Sequence, residues 1–98
     1  MYIMMCEIYK HSESRRNFEK YMFEDRKILL SAHPIEAVKT LDDAHEWMFR
    51  EPEKIVEYLN LVTEDTWSLD TFDRNETHAT IWNKDETIER LYVARRLD

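Results

Sequence analysis

The sequence predicts an α+β fold. Residues 1–98 form a single small domain, in which an antiparallel β-sheet, built from an N-terminal strand and C-terminal hairpins, packs against two or three helices. Three observations predict this. The chain opens on a short apolar run of strand length, its middle carries apolar residues at helical spacing, and its last third alternates with a period of two.

The opening run, Tyr2-Ile3-Met4-Met5-Cys6-Glu7-Ile8-Tyr9, ends at a polar cluster from Lys10. Its length and flanks suit a buried strand. Residues 17–32 allow two readings. Phe18, Tyr21, Met22, Ile28, Leu29 and Ala32 fit a helical stripe with Asp25 as its one polar intrusion. The rival is a hairpin, 18–23 and 27–31, turning at Glu24-Asp25-Arg26. No glycine or asparagine stands in that turn, which disfavours a tight hairpin and favours the helix. Pro34 is then expected to break the preceding element, because the residue before proline avoids the α region. Ile35–Lys39 reads as a short strand.

Thr40-Leu41-Asp42-Asp43 resembles a helix start, with Thr40 as cap and two acids where the helix dipole favours them. Leu41, Ala44, Trp47 and Met48 share a face through Arg50. Pro52 suits the first turn of a new helix. Ile55, Tyr58, Leu59 and Val62 then follow the i, i+3, i+4, i+7 template. Two helices, near 41–50 and 53–63, are the expectation. Trp67 and Leu69, then Ala79 and Ile81, alternate with polar residues around the turn Asp73-Arg74-Asn75-Glu76, which predicts a hairpin. Asn83-Lys84-Asp85-Glu86 reads as a second turn leading to a strand over 88–95. A C-terminal helix capped by Asn83 and Glu86 is the alternative.

The chain contains no glycine. Glycine reaches positive φ freely and lets backbone approach a ligand closely. Its absence excludes the Walker loop, the dinucleotide G-x-G-x-x-G turn, the G-x-S-x-G elbow and the standard EF-hand. Turns are expected to rest on Asp73–Asn75 and Asn83–Asp85, since Asn and Asp tolerate left-handed backbone best after glycine. No apolar run reaches the ~18 residues of a membrane span, and no secretory signal is present. The lone Cys6 cannot form an intramolecular disulfide, so cytoplasmic residence is expected.

Formal net charge is −7, which argues against direct binding to nucleic acid or anionic membrane. The excess is concentrated. Residues 36–65 hold nine acids (Glu36, Asp42, Asp43, Glu46, Glu51, Glu53, Glu57, Glu64, Asp65) against three bases (Lys39, Arg50, Lys54), a net −6. Like charges one helical turn apart oppose the helix mildly, so the pattern reads either as a solvated face or as a surface for a basic partner. Asp42, Asp43, Glu46, Glu53 and Glu57 are the candidate partner-binding acids. Phe72 and Trp82 join them: with Leu69 and Ile81 inward, both aromatics are expected to point outward on adjacent strands as an exposed patch.

Other chemistries find little support. His11, His33, His45 and His78 are scattered, His45-Glu46 lacks a second histidine at 49, and Asp73–Thr77 fails as a calcium loop at His78 and Lys84. Neither a metal nor a cofactor is expected. Cys6 sits in the most apolar segment and reads as a small hydrophobe rather than a nucleophile. The basic residues Arg15, Arg16, Lys20, Arg26 and Lys27 are interleaved with Glu13, Glu19, Glu24 and Asp25, and read as a mixed-charge face that permits a homo-oligomer by meeting the acidic middle. The expected function is therefore that of a non-catalytic acidic protein-binding module, a small regulator or inhibitor that occludes a basic surface of a partner. The alternatives are a nucleic-acid mimic that blocks a nucleic-acid-processing protein, and a small enzyme using a carboxylate pair the sequence does not locate.

Overall fold

Alternation along the first strand decides which side chains meet the helix layer. In the computed structural model, which describes residues 1–97, β1 spans Tyr2–His11 and buries Met4 and Cys6. Chain order continues with α1 (Phe18–Glu24), β2 (Lys27–Val38), α2 (Leu41–Val62), β3 (Trp67–Leu69), β4 (His78–Asn83) and β5 (Ile88–Arg96). The five strands form one sheet, ordered β2-β1-β5-β4-β3, with every neighbouring pair antiparallel. The α+β class and the sheet of N-terminal strand plus C-terminal hairpins match the expectation from sequence, but the helix layer is a single long helix.

Register assigns the faces, because residues directly opposite each other share a side of the sheet. Met4 faces Ala94, Cys6 faces Tyr92, and Tyr92 faces Ala79 across β5 and β4. These side chains, with Ile81, meet Ala44, Trp47, Met48 and Leu59 of α2 to form the core. The opposite face carries Ile3, Met5, Glu7, Tyr9 and His11 from β1, with Glu89, Leu91, Val93 and Arg95 from β5. It has no long helix over it. Instead α1 and the 12–17 loop fold over the end nearest the β4–β5 turn. There Tyr21 and Trp82 lie 5.5 and 5.0 Å, centroid to centroid, from the His11 ring.

Two sequence expectations are corrected in the 17–40 region. The helix ends at Glu24 rather than continuing to Ala32, and β2 begins at Lys27. Pro34 does not break the element: it sits inside β2 opposite Met5, beside a register shift between Met4 and Met5. An edge strand tolerates this, since one of its two backbone edges needs no donor.

The third correction concerns Pro52. It lies inside one continuous helix, and not at the start of a second. Proline has no N–H for the carbonyl four residues back, here that of Met48. Arg74, from the loop between β3 and β4, donates to that oxygen from Nε at 3.0 Å and from Nη2 at 2.7 Å. The guanidinium also pairs with Glu53 and lies 5.0 Å from the centroid of the Phe49 ring. The orphaned carbonyl is thus satisfied from outside the helix, and α2 runs through. As expected, Thr40 caps it, accepting from the Asp43 amide at 3.1 Å. The helix also steadies β3: Asn60 Oδ1 accepts from the Trp67 amide at 2.7 Å, and Asn60 Nδ2 donates to the Trp67 carbonyl at 3.1 Å. Asn60 thereby fills part of the role of a sixth strand along a three-residue edge.

Candidate binding surface

The amphipathic pattern of α2 puts its acids on the side away from the sheet. At about 100° per residue, Asp42, Glu46, Glu53 and Glu57 fall within about 60° of one another, along some 22 Å of helix. All four are exposed, as is Asp43 beside the cap. Their charge is partly neutralised. Arg50 lies 3.5 Å from Glu46, and Arg74 pairs with Glu53. Among the described residues, Asp42, Asp43 and Glu57 have no ion-pair partner, so they carry the field of the ridge.

Phe72 and Trp82 part company. Phe72 lies beyond the end of β3, in the loop, and is 99% exposed. Asp70 Oδ1 accepts from the amides of Phe72 and Asp73 at 3.1 and 3.2 Å, an Asx turn that holds the ring out. Two residues on, Arg74 ties this loop to Met48, Phe49 and Glu53 in the middle of the acidic ridge. The expected Phe72–Trp82 patch does not form. Trp82 faces the predicted side of the sheet, opposite Ser68, but only 5% of it is exposed. The Arg15 guanidinium lies over its ring at 4.4 Å and His11 packs beside it.

The cover over Trp82 is an ion-pair lattice. Arg15 donates to Glu86 Oε1 from Nε at 2.9 Å and Nη2 at 2.6 Å, and to Asp70 Oδ2 from Nη1 at 2.5 Å. Burial alone raises the Asp70 carboxyl, but the Arg15 bond and the two loop amides outweigh it and hold the group below its ordinary range. Beneath, His11 is 3% exposed and bridges two carboxylates, Nδ1 to Asp25 at 2.6 Å and Nε2 to Glu89 at 2.7 Å. For Asp25, burial again opposes ionisation. The His11 bond and the Glu13 amide prevail, and its carboxyl is held low.

A cleft of about 330 Å³ opens beside this lattice, lined by Arg15, Arg16, Asp70, Trp82, Lys84 and Glu86 among others. Small-molecule sites of that size are mostly apolar with a few convergent polar groups. Here Arg15, Arg16, Asp70 and Glu86 are paired with one another. Among the described residues, no group of three or more His, Cys, Asp or Glu side chains could hold a metal ion. Cys6 is buried beside Tyr92, and burial pushes its thiol up, as suits a core residue. No described helix is long and apolar enough to cross a membrane.

The sequence reading missed Arg74, His11 and Arg15 as organising residues. Only Pro52 gave a signal for Arg74: a proline in a strongly periodic segment leaves a carbonyl that something must satisfy. The partners of His11 and Arg15 lie as far as 78 and 71 residues away, beyond any local pattern. Comparison with family models, with curated proteins and with solved structures gives no match to this chain.

Proposed function

We propose that this chain is a non-catalytic protein-binding module, a small regulator or inhibitor that covers a basic surface of a partner protein. The observation that carries the reading is the Arg74 clamp. It fixes the loop bearing the fully exposed Phe72 against the middle of the α2 acidic ridge, so one firm surface offers both an aromatic anchor and unpaired carboxylates. Interfaces draw affinity from buried aromatic anchors, and association rate from charge complementarity at the rim. The carboxylates with displaced titration, Glu7, Asp25 and Asp70, are all held low. That suits ion pairing better than proton donation, and it favours binding over acid–base chemistry.

The test is affinity capture at low and at high salt. It compares the natural chain with Asp42→Lys/Glu57→Lys and with Phe72→Ala, identifying what is retained by mass spectrometry. The expected partner is basic. Its capture falls steeply with salt, charge reversal slows its association, and Phe72→Ala speeds its release. A partner held equally by all three chains at all salt concentrations refutes the reading.

A further inference from the structure

We infer that the uncovered face of the sheet is a self-association surface, on which a second copy of this chain packs face to face. Ile3, Met5, Leu91 and Val93 lie at the centre of that face, on β1 and β5. They are only partly buried, and they do not belong to the hydrophobics packed against the α2 core. On β2 the register continues the face through Ala32, Pro34 and Ala37, opposite Glu7, Met5 and Ile3, and all three are exposed. The result is one apolar strip across three adjacent strands. On its other side, a groove over Thr80, Leu91 and Val93 gives it relief for interdigitation.

Size and charge point to a second copy as the occupant. At about 3.3 Å per residue and 4.8 Å between strands, the open span of β2, β1 and β5 measures roughly 25 by 15 Å. Two such faces bury on the order of 1,000 Å² of accessible surface, the low end for specific interfaces, so the association is weak, with Kd of order micromolar or above. The charges at the centre are self-complementary. Glu7 accepts from Arg95 Nη2 at 3.0 Å, and the Arg95 side chain is 60% exposed, leaving donors for a carboxylate that approaches across a two-fold axis. Among the described residues, Glu7 and Arg95 at the centre of the face thus already balance each other, which suits a second copy carrying the same pair better than a strongly basic or acidic partner. Twisted sheets stack with their strands about 30° apart, which a two-fold axis lying between the two sheets and parallel to them permits.

This inference is independent of the acidic ridge, and salt separates the two. Copies with a net charge of −7 repel, so screening strengthens an apolar dimer but weakens a contact made by the ridge. The experiment is sedimentation equilibrium from about 10 to about 500 µM at low and high salt, bracketing the expected weak Kd. The natural chain is compared with Val93→Glu, Ala37→Glu and, as a charge-matched control, Leu61→Glu on α2. Circular dichroism checks each fold. Ala37 is exposed on the edge strand, so its variant tests the face even where Val93→Glu fails to fold. The expected result is a monomer–dimer equilibrium that tightens at least several-fold with salt. Ala37→Glu shifts it to monomer at all concentrations, as does Val93→Glu if folded, while Leu61→Glu retains it. The inference is overturned by a monomer throughout, by a dimer that survives Ala37→Glu, or by a dimer that salt dissociates.

Discussion

Replacing Arg74 by alanine should destabilise the fold through a carbonyl that Arg74 never meets in sequence. The Met48 residue is fully buried, and its carbonyl has lost its helical donor to Pro52. Without the guanidinium no donor reaches that oxygen, and an unsatisfied buried polar group costs about 1–3 kcal/mol. The ion pair with Glu53, which is half exposed, adds at most about 1 kcal/mol. The stack on Phe49, itself 52% exposed, adds about 0.5–1 kcal/mol. The expected loss for Arg74→Ala is therefore about 3 kcal/mol. The mechanism has a sharper signature than its size. In a Pro52→Ala background the helix regains its own N–H at residue 52, and the carbonyl no longer depends on Arg74. The same Arg74→Ala change should then cost about 1–2 kcal/mol less. Urea unfolding of the four chains, followed by tryptophan fluorescence, completes the cycle, with unchanged denaturant slopes expected. Equal cost in both backgrounds, or a loss below about 0.5 kcal/mol in the natural one, would refute the account of why α2 runs through its proline.

Three further outcomes are expected. His11→Phe leaves Asp25 and Glu89 facing each other with side chains only 11% and 12% exposed, and should destabilise by about 3–5 kcal/mol in the same urea assay. Thr80→Val removes a buried hydroxyl that has no hydrogen-bond partner while keeping the shape, and should raise stability by about 1 kcal/mol, seen as a higher urea midpoint at constant slope. Asp25, Asp70 and Glu7 are held below their ordinary range, Glu7 by the hydrogen bonds from Tyr9 and Arg95. A depressed carboxyl lends stability that is fully present above its unfolded pKa, near 4, and is lost as pH falls through its folded value. The stability these three carboxyls lend should therefore be constant above about pH 5 and fall steeply below pH 4, and Asp70→Asn should flatten part of that fall in a pH series of urea midpoints.

The elements that sequence reveals here are those whose cause is local. The period-two runs at Trp67–Leu69 and Ala79–Ile81, the apolar opening strand and the Thr40 cap all appear as read, because alternation and capping act over a few residues. What escaped reading is set by distant partners. Pro52 looked like a boundary because its compensation comes from Arg74. Pro34 looked like a break because nothing local marks β2 as an edge strand. Residues 27–31 joined a helical stripe by spacing, yet pair with β1. The acidic ridge was legible as composition and period. The neutralisation of Glu53, and the burial of Trp82 under Arg15, were not.

The turn after β4 links these observations. Without glycine, left-handed backbone was expected at Asn or Asp, yet the one described residue at positive φ is Glu86, at 54°. Asn83 contributes through its side chain instead, accepting from the amides of Thr87 and Ile88 at 2.8 Å each. A left-handed residue other than glycine or asparagine costs about 1–2 kcal/mol. Glu86 offsets that cost through its position. Its carboxylate takes two donors from Arg15, and Arg15 so held closes over Trp82 and reaches Asp70, whose turn displays Phe72. A residue chosen for backbone ease alone would have been asparagine; the glutamate makes sense once its reach is counted. In a glycine-free chain the strained turn thus becomes an anchor, and the same contact that conceals Trp82 steadies the loop on which Phe72 stands exposed.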